Sequence, residues 1–118
     1  MKTVKSIERK KWDKIEDFFI KNFTDGERPD MDTILFLIGV QELGQGKKKF
    51  SKDDKVNLIH IAVCTILEPF GYYRFEGRDA DDWPQFEFME PLPELKANEQ
   101  SLLMKYAIIQ YFEDKNLI

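Results

Sequence analysis

Asp30-Met31-Asp32-Thr33-Ile34-Leu35-Phe36-Leu37-Ile38-Gly39-Val40-Gln41-Glu42-Leu43-Gly44 is the stretch on which the fold turns. Wound as a helix, it carries apolar side chains on nearly every side, so it must be covered all round and belongs at the centre. Asp30 or Asp32 caps its first backbone amides. Gly44-Gln45-Gly46 ends it, with Gly44 in the position that favours a left-handed backbone. Gly39 in mid-helix costs about 1 kcal/mol against alanine, and its use is a close approach by a second helix.

Upstream, the spacing predicts a helix from about Val4 to Phe23. Val4, Ile7, Trp12, Ile15, Phe18, Phe19 and Phe23 fall on one arc, with charged residues filling most of the rest. A basic helix lying on a membrane is disfavoured, because Glu8, Asp13, Glu16 and Asp17 would repel anionic lipid. Downstream, Ser51-Lys52-Asp53-Asp54 reads as a capping box, with aspartate at the reciprocal position. It opens a third helix with Val56, Ile59, Val63, Ile66 and Leu67 on one arc, stopped by Pro69 and Gly71.

The period then changes from helical to two. Tyr72-Tyr73-Arg74-Phe75-Glu76 and Gln85-Phe86-Glu87-Phe88 alternate aromatic with polar residues, the pattern of a hairpin with one aromatic face. The turn formers between them predict a long acidic loop. Glu90-Pro91-Leu92-Pro93 is extended, and Asn98 is the expected cap of a last helix reaching about Asp114. That helix is apolar on two sides, with Leu102, Leu103, Tyr106 and Ile109 on one and Met104, Ile108, Tyr111 and Phe112 on the other.

The expected fold is therefore mainly α (α+β): a four-helix core with one β-hairpin inserted between the third and fourth helices. Residues 1–118 are expected to form a single helical domain, since 118 residues at 42% hydrophobic content suit one core. One cysteine, Cys64, excludes an intramolecular disulfide. No apolar run approaches the roughly 20 residues of a membrane span. The charged residues before Lys14 do not read as a secretory signal. A soluble cytoplasmic protein follows as the expectation.

The net charge of −4 disfavours generic nucleic-acid binding. Charge is unevenly placed. Residues 1–28 carry +2, residues 47–55 carry +3 and residues 68–99 carry −6.

Several groups invite a chemical reading. Asp79, Asp81 and Asp82 place three carboxylates in one loop, as a divalent cation would require. An EF-hand is excluded, because Pro84 stands where that loop needs glycine and the flanks read as strands. Turn chemistry is the preferred role for these residues. Trp83 either folds back on the hairpin's aromatic face or anchors a partner.

His60 and Cys64 lie one helical turn apart, but there is no further cysteine or histidine to complete a zinc site. His60 is expected to be buried and hydrogen-bonded, with a buried Gln41 as its partner. Lys47, Lys48 and Lys49 lead into a helix N-terminus, an arrangement that attracts anions, although the Gly44–Lys48 segment does not match a phosphate loop. No catalytic or cofactor motif is found, and no cofactor is expected.

Ile34 to Gly44 and Asp79-Ala80-Asp81-Asp82-Trp83-Pro84 resemble segments of small uncharacterised bacterial proteins. The resemblance implies no activity and transfers no site. The expectation for function is a non-catalytic protein-interaction module with a protein partner. Its contacts would be Trp83 in the hairpin loop and Tyr111 and Phe112 on the last helix. The two-faced last helix and the charge split favour a homodimer over a helix sandwiched inside a monomer. The alternatives are an enzyme or cation binder using the acidic loop, and an anion or nucleic-acid contact at Lys47 to Lys49.

Overall fold

A computed structural model describes residues 2–24, 26–45 and 49–118, with side chains from residue 9 onward. Among the described residues there are four helices and a two-stranded antiparallel hairpin after the third helix, and the chain is 60% helical. This is the mainly α architecture that the sequence predicts. The elements are α1 (Lys2–Asn22), α2 (Met31–Leu43), α3 (Lys52–Leu67), β1 (Tyr73–Arg78), β2 (Pro84–Phe88) and α4 (Ala97–Asp114). A single 3-10 turn, Glu68–Phe70, follows α3. Contacts gather into two compact units, residues 30–93 and residues 1–29 with 94–118.

In the unit of residues 30–93, helix ends follow local chemistry. Asp30 Oδ1 accepts from the Thr33 N–H at 2.8 Å, and that bond holds the Asp30 carboxyl below its usual range. Gly44 adopts φ +71° and donates its N–H to the Val40 carbonyl. The capping box of α3 is complete: Asp54 N–H donates to Ser51 Oγ, and Ser51 N–H donates to Asp54 Oδ2, both at 3.1 Å.

Gly39 meets the expectation made of it. A Cβ built there would collide with the Leu58 carbonyl, lying 2.7 Å from its carbon. Helix α2 therefore lies on α3 with backbone close to backbone.

The buried side of α3 is not the predicted arc. Leu58, Ile61, Ala62, Cys64, Ile66 and Leu67 are buried, whereas Val56 is exposed. Helix α3 packs on α2 and also on the hairpin. Two neighbours at different angles select a wider and rotated arc than one apolar stripe suggests. Leu43, Leu58 and Ile61 form a cluster on which Phe36, Val40, Phe50, Trp83 and Phe86 lean.

The hairpin pairs Tyr73 with Phe88, Arg74 with Glu87 and Phe75 with Phe86. A bulge between Phe75 and Gly77 shifts the register, so Gly77 faces Gln85 and Arg78 faces Pro84. The loop is shorter than the sequence suggests, because Pro84 opens β2. Proline is tolerated as the first residue of a strand, where no ladder bond needs its missing N–H.

In the other unit, α1 packs against α4. Ile15 and Phe19 are buried on α1, and Ala107, Ile108, Ile109, Tyr111 and Phe112 on α4. Phe112 meets Phe18 and Phe19 edge-on, with ring centroids 5.7 and 5.6 Å away. Lys11 pairs with Glu113 at 2.8 Å, and the Lys105 ammonium sits 5.3 Å above the Trp12 ring. Asn98 does not cap α4: Lys96 precedes the helix, and its N–H donates to Glu99 Oε1 at 3.0 Å. The Val4 and Ile7 side chains lie outside the described residues.

Candidate functional site

The hairpin's aromatic face is a square of four rings. Tyr73 and Phe88 are 5.8 Å apart, and Phe75 and Phe86 are 5.6 Å apart. One diagonal is covered: Phe86 leans on the Leu58 and Ile61 cluster, and Tyr73 meets the His60 ring edge-on at 6.3 Å. The other diagonal is left in solvent, with Phe75 46% and Phe88 59% exposed. A twisted two-stranded ribbon laid on one helix touches it along one diagonal only. Met89, next to Phe88, is 50% exposed. The opposite face is polar, with Arg74 and Glu87 paired at 3.0 Å.

Beside the hairpin an open groove of about 700 Å³ runs between α3 and β2. Asp54, Asn57 and His60 line it from α3, and Asp79, Asp81 and Trp83 line it from the loop. Pro84, Gln85 and Phe86 form its strand side, so β2 borders the groove and no residue of β1 does.

The loop holds its shape through bonds that involve all three aspartates. Asp79 Oδ1 accepts from the N–H groups of Asp81 and Trp83 at 2.9 and 3.0 Å. Asp79 Oδ2 accepts from Gln85 Nε2 at 3.2 Å. Asp81 offers its backbone carbonyl to Gln45 Nε2 at 3.1 Å. Asp82 takes φ +66° and points its carboxylate at Arg78, 3.6 Å away. Asp79 thus works as a turn residue, and among the described residues no three acidic, histidine or cysteine side chains form a metal cluster.

Arg78 is a residue that sequence reading missed. Its guanidinium donates to the carbonyls of Glu42 and Leu43 at 2.7 and 3.0 Å and to that of Asp82 at 2.9 Å. It satisfies the C-terminal carbonyls of α2, where a cation is favoured, and ties the loop to that helix.

His60 and Gln41 are exposed, against the expectation that both are buried. The polar side of α3 turns to the groove, which puts His60 at its rim. The partner of His60 is Cys64, with Sγ and Nε2 3.5 Å apart. Cys64 itself is fully buried, and burial pushes its thiol up to about 11. Burial raises the Tyr73 phenol, and the neighbouring Cys64 raises it further.

The other candidates divide. Trp83 is half-buried and folds inward onto the Leu43, Leu58 and Ile61 cluster, on which Phe86 of the hairpin's aromatic face also leans. Tyr111 and Phe112 are buried in α4, so they are not surface contacts; the exposed apolar residues of that helix are Leu102 and Tyr106. The face expected to be open is the one that receives the α1 phenylalanines. Lys47 and Lys48 lie outside the described residues, and Lys49 is exposed. Asn57 and Gln85 join the site without having been singled out, and Asp54 joins it although the sequence marked it only as a capping residue. For Asp54 and Asn57 the signal in the sequence is the polar stripe at positions 54, 57 and 60 of α3; Gln85 shows only as a polar residue of the alternating second strand.

Among the described residues no helix is long and apolar enough to cross a membrane. No protein-family model, curated protein or solved structure matches the chain.

Proposed function

We propose that this protein is a non-catalytic interaction module that docks a protein partner through the hairpin of residues 73–88. The observation that carries this reading is the uncovered aromatic diagonal. Phe75 and Phe88 stay in water although the same face holds two covered rings, and large exposed aromatics beside a groove are typical of docking surfaces. The acidic loop supports this reading over a cation-dependent enzyme, because Asp79 spends both carboxylate oxygens on the turn. Self-association through α4 is less well supported, since Tyr111 and Phe112 are buried.

The test is photo-crosslinking in cells from a reactive residue placed at Phe75, at Phe88 or, on the opposite face, at Arg74. Docking through the aromatic face predicts one dominant protein adduct from the first two positions and little from the third. Equal labelling from both faces, or none from either, would refute it.

A further inference from the structure

We infer that the groove between α3 and the hairpin takes an extended, basic peptide segment that adds as a third strand to the outer edge of β2. The inference rests on the interaction-module reading and names the partner's form and charge.

The ladder shows which backbone groups face outward. Met89 N–H donates to the Tyr72 carbonyl at 3.0 Å, so that pair is hydrogen-bonded. In an antiparallel ladder bonded and non-bonded pairs alternate. Tyr73 with Phe88 and Phe75 with Phe86 are then the non-bonded pairs, whose N–H and C=O groups point away from the partner strand. The Phe75 N–H confirms this register, because it donates outward to Glu68 Oε2 at 2.7 Å.

The two edges are treated differently. Glu68 covers the β1 edge with a carboxylate, a recognised way of blocking strand addition. On β2, no hydrogen bond among the described residues reaches the outward groups of Phe86 and Phe88. The Pro84–Phe86 part of that edge borders the groove, and a chain laid along it would exchange backbone bonds with Phe86 and, where it leaves the groove, with Phe88, while its alternate side chains faced α3. Strand addition beside a helix is an established way of binding extended peptides.

Charge selects the occupant. Among the described residues, Asp54, Asp79 and Asp81 line the groove, no lysine or arginine does, and none of the three is in an ion pair. A basic segment is attracted. A second copy pairing β2 to β2 would bring the same three carboxylates from each side, in a chain of net charge −4.

The probe is a blocked peptide of alternating lysine and valine, compared with one carrying glutamate for lysine and one N-methylated at every residue facing β2. Titration is followed by amide exchange and by affinity at low and high salt. The lysine peptide should slow exchange at Phe86 and Phe88 by roughly tenfold or more and weaken with salt. The glutamate and N-methylated peptides should not bind. Phe88→Pro removes an outward donor without removing a ladder bond, and should weaken the lysine peptide by on the order of tenfold relative to Phe88→Ala, which loses the same ring but keeps the donor.

Equal binding of the N-methylated peptide, or binding without protection at Phe86 and Phe88, would overturn strand addition. Protection that rises with protein concentration alone would assign the edge to a second copy and overturn the inference. No peptide binding, with crosslinking at Phe75 and Phe88 intact, would overturn it while leaving the docking face standing. Loss of that crosslinking with peptide binding retained would sink the docking face instead.

Discussion

Replacing Gly39 with alanine puts a methyl group where α2 and α3 lie closest. In a free helix the change is favourable by about 1 kcal/mol. Here the new Cβ would overlap the Leu58 carbonyl, with the carbonyl carbon at 2.7 Å and the Leu58 Cβ at 3.0 Å. The obstacle is backbone inside a helix, so no rotamer change relieves it. The helices must separate locally by about 1 Å, a gap that forfeits between a quarter and a half of each affected dispersion contact. Leu58, Ile61 and Leu43 lose the most, since they form the cluster beside the contact. Overpacking costs about 1–3 kcal/mol, and a clash with helix backbone belongs at the top of that range, so after the gain in propensity of about 1 kcal/mol the net effect should be a destabilisation of roughly 2 kcal/mol. For a chain of this size that corresponds to a drop in Tm of roughly 8 °C. Urea unfolding in a Trp12→Phe background, where Trp83 alone reports on residues 30–93, measures it. Leu58→Ala should not rescue the variant, because the clash is with main chain. An unchanged or higher midpoint for Gly39→Ala would refute the close approach.

Arg78→Ala should destabilise by about 1–2 kcal/mol by leaving the Glu42 and Leu43 carbonyls uncapped, and Arg78→Lys should recover only part of this because an ammonium cannot fork; denaturant midpoints check both. The Cys64 thiol should resist a disulfide reagent at pH 8 in the native protein and react promptly in urea. With its folded pKa raised to about 11 from an ordinary 9, its contribution to stability is complete below pH 9 and lost as pH rises through 11, so unfolding midpoints should fall across that window. Asp79→Ala should cost about 1–2 kcal/mol by releasing the Asp81 and Trp83 amides, and Asp79→Asn, which keeps one acceptor, should cost less. Calorimetric titration with Ca²⁺ and Mg²⁺ should show nothing tighter than roughly millimolar, and micromolar binding lost in Asp79→Ala would overturn the turn-residue role.

How much was legible depends on how far away the deciding neighbour lies. The start and end of α2, the capping box of α3, the stop at Pro69 and the two aromatic strands are set by residues within one turn of each other. Gly39 was legible too, because a glycine inside a wholly apolar helix has few other uses. The buried arc of α3 was not: Val56 and Leu58 are equally apolar, and only the angles of α2 and the hairpin separate the exposed one from the buried one. The site was least legible. Arg78 reaches carbonyls 35 and 36 residues away, and nothing near it in the chain marks it as a helix cap.

The sequence by itself determined the number and kind of elements, because periodicity, caps and turn residues act over a few bonds. It also determined that Asp79 to Trp83 would be a loop rich in turn chemistry. Tertiary structure alone decided that Trp83 turns inward, that His60 turns out to a groove and that Tyr111 and Phe112 are covered. It decided as well that Phe75 and Phe88 are the rings left in water. Those outcomes depend on which surface lies opposite each side chain, and a pattern of apolar residues records only that burial is wanted, not the direction from which it comes.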